Sequence, residues 1–389
     1  MREKIHHLNY NILVPYLLLI VIGIIMVYSA SSDILLVNGF KPSVYGVRQA
    51  EYAVAGLAFA FLFLRLRLKN FKSARFVEWF LGISMLLLAY LIGLKIVRGS
   101  AAAVNGAVGW IDLKVIKIQP LEIAKLALVV YLAFILDRHD GAFRLGHIIE
   151  NLSRPAFIAV IMMFLVLIEP DFGGTAILAM IVIVMFSMSG IPAKMAVLWL
   201  VGIGVGVFLL AVLVVHWNPK FLQTSYQYQR FMSFLHPFQL QQKGGAQLVN
   251  SYYAIHNGGL FGVGLGNSMQ KRGYLPEPYT DFILSIAAEE LGAVGAIVIV
   301  GLIFYLMWNI MEVGIHAESQ FNALICFGVA TIIFTETLFN VGAVLGLLPI
   351  TGVTLPFISY GGSSMIVLSA SIGLVLNVAA NERMEKEHE

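Results

Sequence analysis

The chain has 389 residues, of which 59% are hydrophobic and only 12% charged. That composition excludes an ordinary soluble globule and marks a polytopic membrane protein. A net charge of +3 gives no field suited to nucleic acid, the single Cys326 excludes an internal disulfide and a cysteine metal site, and nine histidines show no ligand spacing such as HExxH.

Ten apolar segments follow in chain order, at 12–30, 50–66, 77–95, 121–137, 155–169, 174–190, 194–215, 281–308, 320–339 and 364–380. Each is predicted to be a transmembrane helix, because backbone groups in lipid must pair within their own segment. The basic N-terminus leads into a segment ending in YSASSD. That ending mimics a signal-peptide cleavage site, but with so many later spans it reads as a retained first helix. The expected fold is all-α, with about ten transmembrane helices.

Orientation follows from Lys and Arg in the short loops. With the N-terminus inside, Arg65, Arg67, Lys69, Lys72 and Arg75 are cytoplasmic. So are Arg138, Arg144 and Arg154 in the 137–155 loop, and the tail from Asn381. Arg98, Lys114 and Lys117 fall outside, against the rule, either as solvated charges or to meet an anionic ligand. With both termini cytoplasmic, 216–280 becomes the one large extracytoplasmic loop, between helices 7 and 8, and is too long for a plain connector. It holds an amphipathic stretch, 225–238, and a glycine-rich piece, 256–268. Gly262-x-Gly264-x-Gly266 lacks the preceding strand and the spacing of a dinucleotide fingerprint. It reads as a tight, close-packed or membrane-dipping loop. No repeat or low-complexity linker divides the chain, so 1–389 is expected to be one domain.

Polar residues recur where lipid disfavours them. Pro120 suits a first helical position, and Glu122 and Lys125 then share one helix face. They form either a self-satisfied ion pair or part of a site. Glu169-Pro170-Asp171 reads as a tight external turn or as a second acidic contribution. Asp281 stands where a loop enters the eighth span, as a helix N-cap or as a functional acid. Glu289 and Glu290 follow at roughly 12–14 Å into a hydrocarbon layer about 30 Å thick. They are either bundle-holding partners or functional groups. Finally, Pro349, Gly352, Pro356, Gly361 and Gly362 interrupt an apolar run from Leu347 to Ser364. That pattern predicts a broken segment, tolerated where protein or water covers the backbone.

Together these describe an outward-facing polar cavity with a carboxylate and several cations, among them Arg48 and Arg230. Arginine forks onto phosphate oxygens as lysine does not. The outer face of a membrane has no nucleotide pool, so a transferase there needs a lipid-borne activated donor. Such a donor has an anionic leaving group for the cations, and a carboxylate can serve as general base on the acceptor. The same charges also describe a transporter that flips such a lipid.

The motifs resemble the SEDS family (shape, elongation, division and sporulation) over nearly the whole chain. They are YSAS at Tyr28, NGAVGWIDL at Asn105, IQPLEIAKL at Ile118, EPDFGGT at Glu169, GLGNSMQKRGYLPEPYTDFI at Gly264, AEELG at Ala288 and LPITGVTLPFISYGGSS at Leu348. Leu121 stands where the family usually has serine. The resemblance implies a multi-pass protein of the bacterial plasma membrane. It implies a peptidoglycan glycosyltransferase that polymerises lipid II, an undecaprenyl diphosphate-linked disaccharide pentapeptide, into β-1,4 glycan. It implies a class B penicillin-binding protein and other division or elongation proteins as partners; no cofactor is identified, and metal dependence is left open. A divalent cation is not indicated by the sequence. The essential aspartate of the TDF motif falls on Asp281. Substrate-binding roles fall on Glu122, Lys125 and Arg230, with Arg48 added from the cavity argument. GNSMQKRGYLPE looks more like the division branch than the elongation branch.

Overall fold

The computed structural model describes residues 4, 6–98, 109–112, 117–138, 148–190 and 226–388, with a few positions between 194 and 206. The seventh predicted span, Lys114 and Arg144 lie outside or almost outside these residues. Nine of the ten predicted spans coincide with helices among the described residues. These are α1 (Tyr10–Val37), α2 (Val44–Arg65), α3 (Ala74–Arg98), α4 (Pro120–Arg138), α5 (Ile148–Ile168), α6 (Phe172–Met188), α9 (Ile283–Ile315), α10 (Gln320–Val344) and α11 (Gly362–His388). Inside the expected large loop lie two further helices, α7 (Tyr226–Leu235) and α8 (Ala246–Gly258). A two-residue ladder, β1 (Ile111–Asp112) against β2 (Lys117–Ile118), leads into α4.

Six of the described helices are long and apolar enough to cross a membrane, and α5 and α6 contain shorter apolar helices. The fold is a multi-pass helical membrane protein. Among those six, the most enclosed are α10 and α11. α11 packs chiefly on α2, and α10 on α9, α4 and α6. The outer faces of α3 and α9 carry exposed Trp79, Leu86, Ile297 and Trp308. Lipid, not water, is the solvent for such side chains, so their exposure costs little.

α9 departs from the sequence reading. Gly292 has φ 74° and ψ 178°, so the helix is two pieces, 283–291 and 293–315. The glycine-rich loop fills the break. Val263 and Gly264 N–H donate to the carbonyls of Glu289 and Glu290 (both 3.0 Å), and Ala293 and Val294 N–H donate to those of Gly259 and Leu260 (2.9 and 3.2 Å). The loop thus supplies hydrogen bonds that the interrupted helix cannot make for itself. A side chain at Gly262 would lie 2.2 Å from the Glu290 carbonyl oxygen, so the loop is close-packed, as its glycines predicted.

The break separates Glu289 and Glu290 from the longer piece of α9. At about 1.5 Å per residue the 293–315 piece is roughly 34 Å long, enough to cross a hydrocarbon core of about 30 Å alone. The two acids belong to the shorter piece beyond it. They are 0% and 1% exposed because protein encloses them.

Candidate active site

Four of the polar motifs converge: Glu122–Lys125, Glu169–Asp171, Asp281 and the Leu347–Ser364 run. Pro120 opens α4, as its missing N–H favours. The backbone before it is tied to the broken segment through Ser363. Gln119 N–H donates to Ser363 Oγ, and Ser363 Oγ donates to the Lys117 carbonyl, both at 3.0 Å. The 345–361 stretch between α10 and α11 is non-helical, as expected, and its residues 355–359 are buried in protein.

Asp281 is not the N-cap of α9. The helix starts at Ile283 with Phe282 as its cap residue. The turn carrying Asp281 is instead clamped through its backbone. Asn340 Nδ2 donates to the Asp281 carbonyl (2.7 Å) and to the Val353 carbonyl (2.9 Å). Ser359 Oγ donates to the Thr280 carbonyl (2.6 Å), and Tyr360 N–H donates to the Tyr279 carbonyl (2.9 Å). Asp281 is half-buried, and its carboxylate accepts from Thr280 Oγ1 (3.0 Å) and from its own backbone N–H. Burial pushes the Asp281 carboxyl above the usual carboxylate range, while the Arg230 guanidinium draws it back.

Arg230 sits on α7 and donates to the Ile350 carbonyl (3.3 Å). It lies within electrostatic reach of Asp281, Glu277 and Asp171. Asp171 caps α6, accepting from Gly174 N–H at 2.7 Å. Burial raises its carboxyl, opposed by the Gly174 N–H and then by Lys125. The Glu169–Asp171 turn is therefore both a helix start and part of the charged group. Glu169 beside it is pushed up to about 8, first by burial and then by Asp171.

Beneath Asp171 stands a triad. Lys125 Nζ is 2.8 Å from Glu122 Oε1 and is also bonded to Glu336 on α10. All three side chains are almost fully enclosed. The i,i+3 pair was legible from spacing, but Glu336 was missed. Its only signal was an acid in the middle of an apolar span. Lys125 thus acts on its surroundings through its field, because both carboxylates already occupy it. Arg48, exposed on α2, joins from the flank by a bond to the Tyr360 side chain. Tyr360 lies in a cluster of tyrosine rings with Tyr45, Tyr52 and Tyr279 at centroid distances of 4.8–6.0 Å.

The structure thus brings Asp281 and Arg230 together, and Glu122 with Lys125. Asp171 and Arg230 link the two groups, and Arg48 stands one aromatic layer away. The carboxylates among the described residues that are close enough to share an ion, Glu318, Glu382 and Glu385, belong to a different region. There Glu382 accepts from Asn322 Nδ2 (2.7 Å) near the start of α10.

A family model described as cell cycle protein, covering FtsW, RodA and SpoVE, matches residues 10–384. The probable peptidoglycan glycosyltransferase FtsW of Lactococcus lactis is 38% identical, with 100% of this chain and 96% of the relative covered. The protein of the same name from Bacillus subtilis is 34% identical over 97% and 92%. Among solved structures, a chain from a study of how a peptidoglycan synthase complex coordinates polymerization and crosslinking is similar, with TM-score 0.75 and 28% identity over 96% of this chain and 98% of that one. The rod shape determining protein RodA of Thermus thermophilus gives TM-score 0.67 and 26% identity over 96% and 97%.

Proposed function

Because the chain belongs to the family of FtsW, RodA and SpoVE, the SEDS family that its motifs pointed to, we propose that it is a peptidoglycan glycosyltransferase. It polymerises lipid II into β-1,4 glycan at the outer leaflet, in the service of the division septum. The names of the similar proteins support the activity and favour division over elongation. The similar chain from a synthase complex supports a crosslinking partner, a class B penicillin-binding protein. Both termini are cytoplasmic in this reading.

The observation that carries the mechanism is Asp281 on a turn held by Asn340, Ser359 and Tyr360, with Arg230 in its field. Asp281 takes the proton from the 4-hydroxyl of the acceptor GlcNAc. The freed oxygen pair attacks the anomeric carbon of the donor MurNAc from the face opposite the diphosphate. The carbon–oxygen bond to the diphosphate breaks, so the α-linkage inverts to β and undecaprenyl diphosphate leaves with the electron pair. A raised carboxyl suits this step, because a stronger base accepts a proton more readily near neutral pH. Arg230 and Arg48 meet the departing diphosphate. Lys125 and Glu122 shape the substrate site from below, Lys125 through its charge.

The test is polymerisation of lipid II by the purified protein, with and without its cognate transpeptidase. Glycan strands that appear with the partner support the reading. Labelled lipid II that crosses vesicle membranes without any polymer contradicts it and favours a flippase.

A further inference from the structure

Two buried acids outside the proposed chemistry grip the piece of helix that follows Asp281. Ile283–Leu291 is cut off from the rest of α9 at Gly292, so the membrane-crossing piece does not rigidly set its position. At its far end, Glu289 accepts from Ser268 Oγ, from Met269 and Gln270 N–H (both 3.2 Å) and from Asn257 Nδ2 (3.2 Å). Glu290 accepts from Lys271 Nζ (2.9 Å) and Ser29 Oγ (2.6 Å). Lys271 Nζ also donates to the Ser29 carbonyl at 3.1 Å. Lys271, Glu289 and Glu290 are all at most 1% exposed. One ion pair therefore ties α1, through Ser29, to the 268–272 loop, through Lys271, and to the short helix, through Glu290, which Glu289 already bonds to that loop.

We propose that Lys271 and Glu290 are a positioning pair for the transferase reaction. They fix the short helix against α1 and thereby set where the Asp281 carboxylate stands relative to Arg230. The inference rests on the general-base reading of Asp281. The physical grounds are that removing one partner of a buried charge pair strands the other charge, and that beside the Gly292 break the short helix is held by this pair together with the Glu289 bonds to 268–270, the Ser251–Ser285 hydroxyl contact and its packing on α8. Neither residue touches substrate in this account. A misplaced base costs turnover while ground-state binding is kept.

The experiment measures kcat and KM for lipid II with the partner-bound protein. The variants are Glu290→Gln, Lys271→Met and the exchanged pair Lys271→Glu with Glu290→Lys. Glu290→Gln keeps size and one acceptor oxygen, so it serves if Lys271→Met fails to fold. Asn322→Ala, which removes a buried polar contact to Glu382 at the start of α10, controls for loss of stability alone. The expected result is a kcat at least about tenfold lower for Glu290→Gln with KM within about twofold, as for an interaction expressed in the transition state. The exchanged pair recovers part of that loss, and Asn322→Ala keeps kcat at a similar drop in melting temperature. The inference is overturned if Glu290→Gln loses no more turnover than Asn322→Ala, if its change lies wholly in KM, or if the exchanged pair is no better than the single variants. Asp281→Asn, run alongside, separates the two levels. Lost turnover there with normal Glu290→Gln turnover overturns the pair alone. Retained turnover there overturns the reading on which the pair rests.

Discussion

Replacing Lys125 by methionine tests whether the enclosed triad is a balanced unit. The ammonium is the cation bonded to both Glu122 and Glu336, and Asp171 is within its field. Removing it leaves two enclosed carboxylates without a counter-charge. Breaking a buried pair in this way costs about 3–5 kcal/mol. Glu336→Gln behaves differently. The Lys125–Glu122 pair at 2.8 Å survives, and an amide oxygen still accepts from Lys125. The cost is then the difference between a charged and a neutral hydrogen bond, about 1 kcal/mol. The gap of about 2–4 kcal/mol corresponds to roughly 30- to 700-fold in the folded-to-unfolded ratio. The double variant, Lys125→Met with Glu336→Gln, is expected to be more stable than Lys125→Met alone, because it removes one of the two stranded charges. Unfolding in mixed micelles, followed by tryptophan fluorescence, reads all three. If Lys125→Met costs no more than Glu336→Gln, or the double variant shows no recovery, the triad is not the enclosed charge balance described.

Two further predictions concern the site and the break. Asp281 must be ionised to act as a base, and burial raises its carboxyl, so activity is lost as pH falls through a value above the ordinary carboxylate range. Arg230 is the largest influence opposing that rise, so Arg230→Ala is expected to move the acidic limb of the kcat–pH profile to still higher pH. An unmoved limb contradicts the pairing. Gly292→Ala forces a side chain into a backbone region that is almost glycine-only, with its Cβ 2.3 Å from the Leu260 carbonyl oxygen. A strain of about 1–3 kcal/mol plus that clash predicts a lower melting temperature and faster proteolysis within 259–266, and an unchanged melting curve rules the break out.

The helices were legible because lipid leaves a backbone few options, and a run such as 320–339 announces itself by composition. The Glu122–Lys125 pair was legible because three residues is a helical spacing. Glu336 was not, since its partner lies 211 residues away in sequence and no local period links them. The same limit hid Lys271, whose partners Ser29 and Glu290 come together only through the fold. Gly292 looked like an ordinary glycine in an apolar helix, and only the loop that fills the break shows why the chain opens there. The four polar motifs could be read as belonging together, but Ser363, Asn340 and Ser359 became visible as their ties only in three dimensions.

The most direct measurement is the rate of lipid II polymerisation by Asp281→Asn, purified with the partner and shown to melt as the wild type does. The account predicts a loss of about 10²- to 10⁴-fold, the span of a positioned general base, with the variant still binding lipid II. A folded Asp281→Asn protein that polymerises within about threefold of wild type, far short of that span, contradicts it.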